Sequence, residues 1–271
     1  MRRIGSTLTY MLIGIVSITS LFPIYWMYAT SFKTRADAFA RPPVIIFEPT
    51  LYNYERMFRE YPLLRYLENS IIIAAGSAIL AVTFGTLAAY SITRFNFKGS
   101  KDLALWMLSI RTVPPIVVII PLFLLFREAG MLDTPASVIL AHAVFNIPFA
   151  VWLMRGYLKD VPVDFEEAAM MDGCSRFEAF WRIVLPLISA GLAATVIFCV
   201  ILSWNEFLMA LILTETNKTL PVAAAGFVTD KDILWGDLTA TGAIVILPIV
   251  VFTLLTQKYI VRGLTWGAIK G

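Results

Sequence analysis

The sequence predicts an all-α, polytopic membrane protein with six transmembrane helices in one domain over residues 1–271. Three observations carry that expectation. Hydrophobic residues make up 59% of the chain and charged residues 15%, for a mean hydropathy of +0.77, outside the range of soluble domains. Six stretches with few or no charges place spans at about 8–31, 69–92, 103–126, 135–155, 187–211 and 238–258, each near the roughly 20 helical residues a hydrocarbon core requires. Between the fourth and fifth lies the one segment, 157–186, that reads as capped, polar helix-turn-helix.

Taken in order, the first span follows Arg2 and Arg3, the arrangement of a secretory leader. Its apolar run is too long for one, and no small-residue cleavage site precedes Phe32-Lys33, so it is expected to be a retained span. An outer loop, 33–68, comes next. On the second span Ala81, Gly85 and Ala89 repeat every four residues, the small-residue stripe that lets membrane helices approach closely. The third contains Arg111, Pro114-Pro115 and Pro121, and the fourth His142, Asn146 and Pro148. Broken helices at membrane depth need protein or a water-filled cavity to satisfy the freed backbone groups, so these prolines point to a route through the membrane or to packing kinks. The fifth span carries Trp204-Asn205-Glu206, the sixth has no charged residue over Leu238–Gln257, and a tail runs over 262–271.

Basic residues set the orientation. With the N-terminus inside, Arg2, Arg3, Arg94, Lys98, Lys101, Lys258, Arg262 and Lys270 fall on the cytoplasmic side, against Arg127, Lys218 and Lys231 in the short outer loops. Both termini and the loop 157–186 are thereby expected in the cytoplasm. The outer loop 33–68 is long and carries acids as well as bases, so it says little about topology. The net charge of +3 gives no indication of nucleic acid, and Cys174 and Cys199 are not expected to form a disulfide.

In the loop, Asp164 and Glu167 stand three apart, as do Ser175 and Glu178, so two short helices can each begin with a capping box. Gly173, after Asp172, supplies a stop between them. The expected first face is Phe165, Ala168 and Ala169, and the second Phe177, Phe180, Trp181 and Val184. The result is a bent knob whose alanines allow close approach and whose Glu167 can bond a partner; an ordinary amphipathic connector is the plainer alternative. The spacing Glu167-Ala168-Ala169, three residues, Gly173, nine residues, Ile183-x-Leu185-Pro186 resembles the EAA loop by which permease subunits of ATP-binding-cassette importers dock on separate ATPase subunits.

Arg111 lies roughly 12 Å into the third span at about 1.5 Å per residue, and Glu206 roughly 30 Å from the inner face, so the two are not expected to pair. Asn146 lies nearer the depth of Arg111. Trp204, Asn205, Glu206 and Asn146 supply an aromatic face, amides and a carboxylate, the groups a sugar site combines; the alternative is that Glu206 is interfacial and Asn146 bonds a neighbouring helix. His142, the lone histidine, is expected to be a packed, hydrogen-bonded residue and not a metal ligand. No phosphate-binding G-x-x-x-x-G-K-[ST] loop, nucleophile elbow or metal cluster is present, so neither catalysis nor a cofactor is expected of this chain.

Along nearly its whole length the chain resembles permease subunits of carbohydrate importers of the maltose and trehalose type. The matching pieces are Thr112-Val113-Pro114-Pro115, Ile120-Pro121-Leu122-Phe123, Asn146-Ile147-Pro148-Phe149 with Trp152-Leu153-Met154-Arg155-Gly156, the loop, Ser203-Trp204-Asn205-Glu206-Phe207, and the ending Gly263-Leu264-Thr265-x-Gly267-Ala268-x-Lys270-Gly271. The resemblance implies a type I importer fold in a bacterial or archaeal cytoplasmic membrane. It implies a second, homologous permease subunit, two copies of a cytoplasmic ATPase that bind ATP and Mg, an extracytoplasmic sugar-binding protein and a sugar substrate, a di- or oligosaccharide. The alternatives are an importer of another solute, a polyol or a glycerol phosphodiester, and, from a different class, an ion-gradient-driven carrier. It assigns ATPase coupling to Glu167, Ala168, Ala169, Asp172, Gly173, Ile183, Leu185 and Pro186, and an ATPase-contacting tail to Gly267, Ala268, Ile269, Lys270 and Gly271. The substrate pathway is expected at Arg111, Pro114, Asn146, Trp204, Asn205 and Glu206.

Overall fold

The computed structural model describes residues 2–95, 97–230 and 232–266. The helices are α1 (Arg2–Ser31), α2 (Arg35–Phe39), α3 (Tyr52–Glu60), α4 (Leu63–Arg94), α5 (Ser100–Ile110), α6 (Pro115–Glu128), α7 (Pro135–Asp160), α8 (Asp164–Met171) and α9 (Arg176–Ala179). A π-helical turn, Phe180–Val184, leads into α10 (Leu185–Leu187), followed by α11 (Ser189–Trp204), α12 (Leu208–Leu213), α13 (Leu220–Ala225) and α14 (Trp235–Trp266). Among the described residues the only extended pairing is an isolated bridge between Val228 and Ile233.

Among the described residues, four helical stretches are long and apolar enough to cross a membrane: Thr9–Ser31, Leu63–Arg94, Pro135–Asp160 and Trp235–Lys258. Two bent pairs pass the same test, Ser100–Ile110 with Pro115–Glu128 at 92° and Arg176–Leu187 with Ser189–Trp204 at 77°. Counting each bent pair as one span gives up to six, the number expected from sequence, although the second bent pair covers 176–204 where a span over 187–211 was expected. The prolines do not act alike. Pro115 starts α6, where its missing N–H costs nothing, whereas Pro121 and Pro148 sit inside α6 and α7 without ending them. The fifth span, expected to be continuous over 187–211, is instead interrupted at 205–207 between α11 and α12.

Among the described residues the chain packs as two compact units, one within 1–65 and 220–248, the other within 66–219 and 249–266. In the first, residues 9–25 of α1 are almost all exposed, as befits apolar side chains facing lipid or a partner. Thr34 caps α2 by accepting from the Asp37 amide. Asn53 of α3 is buried and donates to the carbonyls of Ser31 and Lys33, both at 2.9 Å, which satisfies the frayed end of α1. Arg56 of α3 pairs with the buried Asp237 of α14. Gly236 is required beside this pair, because a Cβ there would lie 2.4 Å from Asn53 Oδ1. Lys33, 2% exposed, keeps its ammonium 4.2 Å from the Trp26 ring centroid, a cation–π contact that offsets its desolvation.

In the second unit α4 and α7 touch along the small-residue stripe. Ala81 and Ala89 are fully buried, and a Cβ on Gly85 would come within 2.5 Å of the Ala150 Cβ. Thr134 caps α7 by accepting from Ser137 N at 3.3 Å, with Pro135 at its first position. The turn before α7 is fastened by Asp133, whose Oδ1 accepts from the amides of Glu215, Thr216 and Asn217 at 2.8, 2.9 and 2.9 Å and whose Oδ2 accepts from the Thr216 hydroxyl. Burial raises the Asp133 carboxyl, but these bonds outweigh it and hold it down to about 2. Cys199 is buried in the core with Ala78, Ala81, Val82 and Ala150, whereas Cys174 is half-buried, so the two free thiols occupy different surroundings.

Candidate functional site

The knob is built by α8 and α9. Three acidic residues, Asp164, Glu166 and Glu167, occupy the first turn of α8, where the helix dipole favours them. The expected Asp164–Glu167 box does not form. Asp164 is already helical, and the N-cap Val163 has no capping side chain. Gly173 ends α8 with φ +93, a conformation that suits glycine, and Cys174 N donates to Ala169 O at 3.0 Å. The second box does form. Glu178 N donates to Ser175 Oγ at 3.3 Å, Ser175 N donates to Glu178 Oε2 at 2.8 Å, and these bonds keep the Glu178 carboxyl below its ordinary value.

The faces divide differently from the sequence expectation. Ala169 is buried while Ala168 and Glu167 are exposed. Phe165, Met171, Phe177 and Trp181 are 53, 88, 65 and 52% exposed, so the knob presents an apolar surface. Phe180 and Val184 do turn inward, into a core with Tyr90, Ala104, Val151 and Met154. Asp172 and Pro186 are exposed, and Ile183 and Leu185 half-buried, around the π-helical turn and the 77° bend. The acid buried in this region is Glu166, 1% exposed, held by Tyr90 and Arg94 of α4. It was missed from sequence, although Tyr90 and Arg94 are spaced i,i+4 and so share a helix face.

A second constellation lies at the broken spans. A cavity of about 190 Å³ is lined by Arg111, Val113, Pro115, His142, Phe145, Asn146, Leu202, Ser203, Glu206 and Met209. Arg111 sits at the 92° break between α5 and α6; its guanidinium lies 4.6 Å from the Phe149 ring centroid, and its Nη1 is buried without a hydrogen-bond partner. His142 links Ser203 Oγ at 2.6 Å through Nδ1 and Glu206 Oε2 at 3.0 Å through Nε2. Glu206 also accepts from Met209 N at 3.1 Å and Ala210 N at 3.4 Å, and thereby caps α12 where the fifth span breaks. Asn146 donates to Ser77 Oγ of α4 at 3.0 Å.

Depth counted along straight helices separates Arg111 from Glu206, yet both line this cavity, because neither span is a straight helix. They do not form an ion pair, as expected, and His142 is the packed, bonded residue the sequence indicated. Trp204 is 6% exposed and does not line the cavity; Asn205 is exposed, with its amide donating to Ile201 O at 2.8 Å. Pro114 is exposed beside the lining residue Pro115. His142 and Ser203 were not anticipated as site residues, though His142 lies one turn from Asn146 on the same face of α7. The tail residues Gly267, Ala268, Ile269, Lys270 and Gly271 lie outside the described residues. No group of three or more metal-ligating side chains occurs among the described residues.

An all-helical chain of broken and unbroken spans with a projecting knob is the architecture of an importer permease. Residues 81–266, more than half of the chain, match the family model for the binding-protein-dependent transport system inner membrane component, and the chain belongs to that family as a multi-pass membrane protein. It is similar to the trehalose/maltose transport system permease protein MalG of Thermococcus litoralis, 35% identical over 263 residues that cover 95% of this chain and 94% of that one. It is also similar to the inner membrane ABC transporter permease protein YcjP of Escherichia coli, 32% identical over 259 residues covering 94% and 92%. The fold matches a chain of a bacterial ABC transporter involved in the import of the acidic polysaccharide alginate, with a TM-score of 0.71, 15% identity and 96% of each chain covered.

Proposed function

We propose that this permease forms half of the pathway of an ATP-driven sugar importer, beside a second, homologous permease. Two cytoplasmic ATPase subunits bind ATP and Mg and supply the energy; an extracytoplasmic binding protein delivers the sugar. The trehalose/maltose name of a relative with nearly complete coverage supports a sugar as substrate. Both termini and the knob face the cytoplasm, and Glu167, Ala168, Asp172 and the exposed rings of Phe165, Phe177 and Trp181 meet the ATPase, with the tail 267–271 reaching the ATPase pair. Arg111, Asn146 and Glu206 line the route. The carrying observation is the knob itself: Phe165, Met171, Phe177 and Trp181 stand exposed around a glycine-closed turn that also exposes Glu167.

Closure of the ATPases on ATP moves the knob and switches the broken spans from inward-open to outward-open; hydrolysis resets them and releases the sugar inside. The test is co-purification of the ATPase with Gly173→Val and Glu167→Lys permeases. Valine is strained at φ +93, and lysine reverses the contacting charge. Both variants are expected to insert normally and lose most of the bound ATPase and uptake. Wild-type association and uptake in both would remove the knob from this role.

A further inference from the structure

Glu166 is the acid of α8 that cannot touch a docked partner, and its surroundings give it another task. Its Oε2 accepts from the Tyr90 hydroxyl at 2.6 Å and its Oε1 from Arg94 Nε at 2.5 Å. The same guanidinium donates through Nη2 to the Val161 carbonyl at 2.9 Å. The last turn of α4 is therefore tied to both sides of the turn that joins α7 to α8. The Arg94 and Glu166 side chains are 4% and 2% exposed, so salt and water screen the pair little, and removing one partner would strand a buried charge.

The covalent route from α8 towards α11 is, by comparison, interrupted three times. It passes Gly173, the π-helical turn at Phe180–Val184 and the 77° bend at Ile188. By contrast α4 continues without proline from Arg94 back to Ser77, which bonds Asn146 at the cavity. Tyr90 and Ser77 stand about 20 Å apart on one continuous helix. Tyr90 also packs on Phe180 with ring centroids 4.7 Å apart, bracing the π-helical turn.

We propose that Tyr90, Arg94 and Glu166 form a latch that delivers movement of the knob to α4, and through α4 to the cavity, making Glu166 a positioning residue for coupling and distinct from the docking residue Glu167. The proposal rests on reading α8 as the ATPase-docking helix. In the assembled complex in proteoliposomes, with Cys174→Ser and Cys199→Ala, a cysteine at Val113 reports the cavity through its alkylation rate by N-ethylmaleimide, with and without MgATP and vanadate. With the latch intact the trapped state is expected to change the rate at least fivefold. In Glu166→Gln and in Tyr90→Phe, which removes a single hydroxyl, the change should fall below twofold while the ATPase still co-purifies and hydrolyses ATP. The exchanged pair Arg94→Glu with Glu166→Arg should recover more of the change than either single variant.

An undiminished rate change in both Glu166→Gln and Tyr90→Phe overturns the latch. So does a loss that only tracks lost ATPase association, because the residues would then serve docking. Should Glu166→Gln fail to assemble, Tyr90→Phe decides by the same measurement. The absence of any ATP-dependent change with the latch intact would overturn the coupling reading itself, and the latch with it.

Discussion

Arg111 is the most expensive side chain at membrane depth: a buried arginine costs at least ~2.5 kcal/mol on insertion scales, and this one has a ring face on one side and a bare Nη1. A cavity that admits water or solute makes that placement tenable. Arg111→Ala and Asn146→Ala are therefore expected to lower uptake per assembled complex at least tenfold while assembly persists, measured as transport normalised to co-purified ATPase. A purely structural role predicts that complex and uptake fall together. Asp133 is a residue of the opposite kind, used only to hold two turns together. Its carboxyl sits near 2 against an ordinary 3.8, so the stabilisation is fully present above the ordinary value and fades as pH falls towards about 2. Asp133→Asn, which still tolerates the observed φ of +57, should lower Tm by about 2–4 °C at pH 7. The gap between variant and parent should narrow as the melts are repeated at lower pH, and a pH-independent gap would exclude the charge as its source.

The α4–α7 contact can be tested at the scale of whole helices. Gly85→Ala puts a methyl within 2.5 Å of the Ala150 Cβ and should cost about 1–3 kcal/mol by overpacking. Adding Ala150→Gly makes room, so the double variant should melt higher than Gly85→Ala alone; additive losses would mean the helices are held apart elsewhere. This contact was legible in the spacing of Ala81, Gly85 and Ala89, as were the unbroken spans, the glycine stop and the Ser175 cap, because each depends on a few neighbours in sequence. What could not be read there depends on partners far along the chain. The partners of Glu166 lie more than seventy residues away, at Tyr90 and Arg94. Trp204 reads as amphipathic, but the packing of α11 buries it. The break at 205–207 has no proline to announce it; it is stabilised by Glu206, which bonds both His142 and the free amides of α12. The shared cavity of Arg111 and Glu206 likewise needed both bends, and a straight-helix count cannot supply them.

For the molecule as a whole, the basic residues of the short loops imply one orientation in the membrane. In a background lacking Cys174 and Cys199, a cysteine placed at Ser100 or Ser175 should react with a membrane-impermeant thiol reagent only after the cells are opened. One placed at Thr216 should react in intact spheroplasts. Ser100 begins α5, Ser175 caps α9 and Thr216 lies in the segment fastened to Asp133, and the charge rule assigns the first two and the third to opposite sides of the membrane. Labelling in the reverse order would invert the whole topology, and with it the compartment in which the knob meets its partner.

The unequal settings of the two native thiols have a practical consequence. Cys199 is buried among Ala78, Ala81, Val82 and Ala150, whereas Cys174 is half-buried between the helix-ending Gly173 and the cap Ser175. The unmodified protein thus carries its own footprinting probe. Mild alkylation should consume the Cys174 sulfur while the chain is folded and both sulfurs once it is denatured, and on the docking proposed above a partner seated on the knob should slow the first reaction.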